Sequence, residues 1–212
     1  MREYPKIETL FDRDPQTRKV KEGVWRTDEF RYLAGDTWIF TEKIDGTNVR
    51  VGWDGSAVTL GGRTDNAQMP VPLVNYLQSV FTAERFMDAF GPDWEMGKEV
   101  VLYGEGFGPK IQNGGAYRDT VAFALFDVVV ANWWLRLRDI EDVACKFGIP
   151  TVPVVGDGEL SSAVDKVKAG FASEWGTAKA EGLVVRPYVD LWDRRGRRII
   201  GKIKTRDFEI EQ

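Results

Sequence analysis

Thr37-Trp38-Ile39-Phe40-Thr41-Glu42-Lys43-Ile44-Asp45-Gly46-Thr47-Asn48-Val49-Arg50-Val51-Gly52-Trp53 is the stretch that sets the fold. Thr37 to Lys43 is rich in β-branched and aromatic residues and ends at Asp45-Gly46, a turn signal. Asn48 to Trp53 and Ala57 to Gly61 flank Asp54-Gly55-Ser56 and predict a hairpin. Moving outward, the apolar residues of Pro70 to Phe90 (Leu73, Leu77, Val80, Phe81, Phe86) recur at helical spacing. Glu99 to Glu105 and Val121 to Ala131 read as buried strands. Arg138 to Phe147 and Leu160 to Phe171 read as helices, with a strand at Thr151 to Val155 between them. Strands at Glu181 to Pro187 and Arg197 to Lys204 complete the pattern, while the first 36 residues are polar with weak periodicity. No repeat, low-complexity tract or linker interrupts it. Strand pairs broken by helices, without strict alternation, predict an α+β fold in one domain over residues 1–212.

With 212 residues, 43% hydrophobic and 29% charged, the composition is that of a globular protein with a substantial core. The single cysteine, Cys145, permits no intrachain disulfide and suits a reducing compartment. Met1-Arg2-Glu3-Tyr4-Pro5 lacks the pattern of a signal peptide, and no apolar run approaches the length of a membrane span, so a cytoplasmic location away from membranes is expected. Histidine is absent, which excludes a histidine base and any His or multi-Cys metal site. A metal must then sit on oxygen ligands, which favours Mg2+ or Mn2+. The net charge is −4, but Arg186 to Arg206 holds eight basic residues against two acids, or +6, and leaves −10 elsewhere. Arg194, Arg195, Arg197 and Arg198 are therefore candidates for phosphate-backbone contact, or else the basic rim of a solvated hairpin.

Five stretches could carry chemistry. Lys43 ends an apolar strand before a turn, where a packed stem can hold its amine at a cleft mouth as a nucleophile; taken alone, the stretch is more often a surface lysine ahead of an Asp-Gly turn. Gly104-Glu105-Gly106 ends a buried strand with a carboxylate beside glycines that admit close approach to the backbone. In Phe123-Ala124-Leu125-Phe126-Asp127, period-2 geometry sets Ala122, Ala124 and Phe126 on one face, which is room for a flat ring or ordinary core packing. Glu181 opens an apolar strand. Lys202 and Lys204 share a face, where two ammonium groups repel unless an anion lies with them, although lysines also protect edge strands.

The order and spacing of these stretches resemble the motif series of the covalent nucleotidyltransferases, which are DNA ligases, RNA ligases and mRNA capping enzymes. Lys43-Ile44-Asp45-Gly46, Arg63, Gly104-Glu105, Phe126-Asp127, Glu181-Gly182 and Lys202-Ile203-Lys204 follow one another from Thr37 to Phe208, about four fifths of the chain. The sequence is most similar to the RNA ligase 2 type. Asn48 stands where DNA ligases usually have Arg, and Gly62-Arg63-Thr64 and Gly104 to Gln112 resemble that branch's elements. The chain stops eight residues after Lys204, so neither a C-terminal OB domain nor a helical one is expected.

The resemblance implies a nucleotidyltransferase domain of mainly antiparallel sheets flanked by helices, an ATP-grasp-like ligase core. It also implies an ATP-dependent RNA ligase that joins 3′-hydroxyl and 5′-phosphate RNA ends through a lysyl-AMP intermediate. Lys43 would be the nucleophile. Lys202 and Lys204 would neutralise the α-phosphate, and Phe126 would stack on adenine. Glu105 and Arg63 would contact ribose or phosphate, and Glu42 and Asn48 would orient ribose, phosphate or base. Mg2+ or Mn2+ would sit on Asp45 and Glu181, with Glu105 a further candidate ligand. A small DNA ligase, a capping guanylyltransferase and a non-catalytic nucleotide- or RNA-binding module use overlapping motifs. Substrate choice and labelling of Lys43 separate them.

Overall fold

Trp38–Glu42 lies inside a five-stranded sheet, between Gly182–Pro187 and Val154–Gly158. The computed structural model describes residues 1–91 and 98–208 and divides the chain into two compact units. One comprises Met1–Pro5 and Asp45–Val152; the other comprises Lys6–Ile44 and the chain from Pro153 onward. The chain passes between them at Pro5-Lys6, inside the Lys43-Ile44-Asp45-Gly46 motif and at Val152-Pro153. Each has its own sheet and core, and the pairing is mainly antiparallel, as the α+β reading requires.

In the unit that contains Trp38–Glu42, the sheet order is Glu8–Thr9, Gly201–Lys204, Gly182–Pro187, Trp38–Glu42, Val154–Gly158, with only the Glu8–Thr9 pairing parallel. Phe40, Leu183, Val185 and Ile203 face one core, covered by Leu160, Ala163, Val164 and Val167 of the Leu160–Ala169 helix. Those four recur at three- and four-residue spacing, which is why the helix forms there. Gly170 follows at its C-terminus with φ +71°, which ends the helix two residues before the predicted Phe171. The opposite face of the sheet carries the Lys202–Val184–Thr41 row, with Lys204 opposite Gly182.

In the other unit, Val58–Gly61, Thr47–Trp53, Val100–Phe107, Ala122–Val130 and Trp133–Trp134 form an antiparallel sheet in that order. Val49, Val51, Trp53, Leu102, Phe123 and Leu125 line its core face, covered by three helices. The opposite face carries the row Asn48–Glu105–Ala124.

Several predicted boundaries move for local reasons. Pro70 to Phe90 is two helices, Val71–Val80 and Ala83–Phe90. Phe81 leaves helical geometry to bury its ring against Phe86, Phe123 and Phe147, and Thr82 caps the second helix by accepting from the Arg85 N–H. Thr151 makes only an isolated bridge to Leu125, and the strand starts at Val154, after Pro153. The last strand begins at Gly201, because Arg197 to Ile200 belong to the loop before it. The weakly periodic N-terminal region forms short strands at Glu8–Thr9, Phe11–Arg13 and Val20–Trp25 and a helical turn at Asp28–Tyr32.

Candidate active site

Lys43 leaves the Trp38–Glu42 strand with its backbone N–H donated to the Gly182 carbonyl at 2.9 Å. This continuation of the ladder brings its side chain to Glu181, where Lys43 Nζ donates to Oε2 at 2.6 Å. Lys204 reaches the same carboxylate from the next strand, and its Nζ donates to Oε1 at 2.5 Å. The three side chains are 21%, 14% and 19% exposed for Lys43, Glu181 and Lys204, so the cluster is sheltered but open to a ligand. Burial pushes the Glu181 carboxyl up, but Lys43 and Lys204 beside it outweigh burial and hold it below its ordinary value.

Gly182 explains why the motif is Glu-Gly. Its φ is +153°, and a Cβ there would stand 2.0 Å from the Ile203 carbonyl oxygen. Only glycine lets this strand lie so close to Lys204, which places Glu181 within reach of two lysines at once. Part of the expected repulsion between Lys202 and Lys204 is thus relieved by a carboxylate of the chain itself.

Glu42, one residue before Lys43, is 1% exposed. Its Oε2 accepts from the Glu174 N–H at 3.0 Å, while its Oε1 is buried with no partner among the described residues. A buried acceptor left unpaired is costly, and a ligand donor would remove that cost.

In the unit holding Asp45, the aspartate is anchored twice. Its Oδ2 accepts from Asn113 Nδ2 at 2.6 Å, and its N–H donates to the Tyr117 hydroxyl at 3.1 Å. Gly46 beside it packs against the Gly106 carbonyl so closely that a Cβ would stand 2.3 Å from that oxygen. Asn48 and Glu105 lie opposite each other on neighbouring strands and share a face; the Asn48 Oδ1 is buried and lacks a partner among the described residues. Arg63 is exposed in the turn after Val58–Gly61.

Phe126 occupies a bulge, because Tyr103 pairs with Asp127 and Gly104 with Leu125. The expected parity holds: Phe123 and Leu125 join the core, while Phe126 packs on the other face. There Tyr4 meets it edge-on, with ring centroids 5.0 Å apart, and the Tyr4 hydroxyl donates to Asp127 Oδ2 at 2.6 Å. Trp134 stacks on Tyr103 in this cluster, whereas Trp133 is exposed.

Arg194, Arg195, Arg197 and Arg198 lie on a hairpin between the Gly182–Pro187 and Gly201–Lys204 strands. No sequence pattern marks Asn113, Tyr117 or the Glu174 amide. Asn113 directly follows the Gly104–Gln112 run, but its spacing to Asp45 carries no pattern.

Asp45, Glu105 and Glu181 supply only carboxylate oxygen, which suits Mg2+ or Mn2+. No group of three or more Asp, Glu, His or Cys that could hold a metal ion occurs among the described residues. Asp45 and Glu105 in one unit, and Glu181 in the other, each suit an ion held by one or two carboxylates together with substrate phosphates.

Solved structures of Naegleria gruberi RNA ligase share the fold. A point mutant with ATP and Mn is 17% identical, with a TM-score of 0.65 over 97% of this chain and 62% of that one. The same ligase with PPi is 18% identical, with a TM-score of 0.64 over 97% and 62%. A point mutant with AMP and Mn is 17% identical, with a TM-score of 0.65 over 96% and 62%. The chain therefore spans about three fifths of the length of these structures. A family model described as RNA ligase matches residues 36–204, which include every member of the lysine, carboxylate and aromatic series described above, and the chain belongs to the RNA ligase family.

Proposed function

We propose that this protein is an ATP-dependent RNA ligase that joins 3′-hydroxyl and 5′-phosphate RNA ends, and that Lys43 carries the AMP. The observation that carries the reading is Glu181 shared between Lys43 and Lys204. A nucleophilic amine, a carboxylate and a second ammonium suit attack on a triphosphate: a group to bond phosphorus, a group to position it and a group to balance departing charge.

In the first step the Lys43 amine attacks the α-phosphorus of ATP. A P–N bond forms, the α–β phosphoanhydride breaks and pyrophosphate leaves. The amine attacks in its neutral form, its proton having passed to solvent, and Glu181 Oε2, 2.6 Å away, holds the side chain in place. Lys204 and Lys202 balance charge on the phosphates. The RNA 5′-phosphate then takes AMP from the lysine, and the 3′-hydroxyl displaces AMP to close the phosphodiester. Phe126 stacks on the base, and Glu105, Arg63 and Asn48 bind ribose or phosphate. Glu42 Oε1 accepts from the adenine amino group. A divalent ion bound through Asp45, Glu105 or Glu181 and the phosphates would supply electrostatic stabilisation of the developing charge. The ATP, AMP and Mn in the related Naegleria structures support this choice of cofactors, and the single cysteine supports a reducing, cytoplasmic setting.

The test is incubation with α-labelled ATP and Mg2+ or Mn2+. The wild-type protein should acquire an acid-labile, alkali-resistant label that Lys43→Ala abolishes, and the labelled protein should seal RNA rather than all-DNA ends. Absence of label on Lys43 overturns the reading.

A further inference from the structure

The loop between the Gly182–Pro187 and Gly201–Lys204 strands is a fixed structure, and one side chain fixes it. Asp193 Oδ1 accepts the N–H groups of Arg195 and Arg197 at 2.8 and 2.9 Å, and Oδ2 accepts Arg197 Nε at 2.8 Å. The Asp193 N–H returns to the Arg197 carbonyl at 2.8 Å, and Gly196, at φ +72°, closes the turn onto the Asp193 carbonyl. Below the tip, Trp192 bridges Arg198, and the Ile199 N–H meets the Leu191 carbonyl at 2.9 Å. The Arg197 N–H and guanidinium hold the Asp193 carboxyl below its ordinary value, so it stays ionised.

This arrangement separates the four arginines. Arg197 is committed to Asp193. Arg194 and Arg195 are exposed and make no ion pair among the described residues. Trp192 is 51% exposed, and Tyr188 beyond it is exposed as well. Trp192, Arg194 and Arg195 lie within three residues of one another, so their Cα atoms fall within about 11 Å and one extended strand can touch all three. Arg194 and Arg195 also border a cavity of about 360 Å³ whose wall includes Asp28 and Glu29.

We propose that this hairpin is a single-stranded RNA grip, in which Arg194 and Arg195 hold backbone phosphates and Trp192 stacks on a base. The inference rests on the RNA-joining reading and adds a binding element outside the Lys43 cluster. Exposed cations on a braced turn lose little freedom on binding, and an indole face accepts any base. Single strands are favoured over duplexes because a paired base cannot stack on Trp192.

The test uses the full chain and a labelled single-stranded oligouridylate with both ends blocked, without ATP, at salt from about 50 to 200 mM. Fluorescence anisotropy should show binding. Arg194→Ala/Arg195→Ala should weaken it and reduce the log–log salt slope by about 1.4, or about 0.7 per phosphate contact. Trp192→Ala should weaken binding by about 5- to 150-fold with the slope unchanged, and Trp192→Phe should restore most of it. Thermal melting of each variant confirms that it is folded. No binding by the parent protein, or parental affinity and slope in the double arginine variant, overturns the proposal. Parental affinity in Trp192→Ala, or equal affinity for a duplex of the same length, overturns the stacking contact. Labelling of Lys43 in the parent is scored separately: a labelled parent with an inert hairpin removes the grip and keeps the ligase, and an unlabelled parent removes the ligase alone.

Discussion

Lys43 Nζ lies 2.6 Å from Glu181 Oε2, and the carboxylate's other oxygen is held by Lys204. A neutral amide in place of that carboxylate keeps its shape and removes its charge. Glu181→Gln should slow labelling of Lys43 by about 10²-fold, the scale of misplacing a reacting group. It should also leave two ammonium groups without their anion and reduce stability by about 1–3 kcal/mol. Single-turnover labelling and thermal unfolding of the same variant read both effects.

The same cluster sets a pH dependence. Glu181 is held below its ordinary value by the two lysines despite burial, so its charged form favours the folded state. That contribution is complete above the unfolded value of about 4.5 and is lost as pH falls through the lower folded value. The difference in melting temperature between wild type and Glu181→Gln should be constant above about pH 6 and shrink as pH falls below the unfolded value of about 4.5. A difference that stays constant across this range would dissociate Glu181 from acid sensitivity.

The contrast between Glu181 and Asn113 shows how much of the site the sequence displays. Strand registers were legible: Lys202 and Lys204 share a face because period-2 geometry leaves no other choice, and Phe123 and Leu125 separate from Phe126 for the same reason. Glycines that admit close approach were visible as motif letters, although only the geometry shows that Gly182 yields to the Ile203 carbonyl. The break at Phe81 was hidden because a buried phenylalanine satisfies helical spacing equally well inside the helix or just beyond it. Partners such as Asn113 and Tyr117 were invisible because they reach Asp45 from a distant loop, and hydrogen bonds between loops leave no periodic trace.

Asn113 therefore gives a test of how Asp45 is positioned. Its amide donates to Asp45 Oδ2 at 2.6 Å and fixes the carboxylate's orientation. Asn113→Ala frees that carboxylate to rotate and should raise the Mn2+ concentration for half-maximal labelling of Lys43 by about 10-fold, as loss of a ligand's supporting partner does. The rate at saturating Mn2+ should change much less. A fall in the saturating rate at unchanged metal requirement would assign Asn113 to the loop rather than to Asp45.

Glu42 makes nucleotide choice testable. Its Oε2 is occupied by the Glu174 N–H, and its buried Oε1 is an acceptor in need of a donor. Adenine offers an amino group at C6, and guanine offers a carbonyl oxygen there, so an acceptor selects ATP and disfavours GTP by leaving two oxygens face to face. Glu42→Gln can keep the bond to Glu174 through its amide oxygen and turn an N–H toward the ligand instead. ATP labelling should then fall by about 10- to 100-fold in kcat/KM, the range for losing a hydrogen bond to a charged group, while GTP labelling rises. Glu42→Ala distinguishes recognition from packing: it should weaken both nucleotides and invert neither preference. If Glu42→Gln labels with ATP as the parent does, the base is read elsewhere, and the unpaired oxygen beside Lys43 serves another group on the nucleotide.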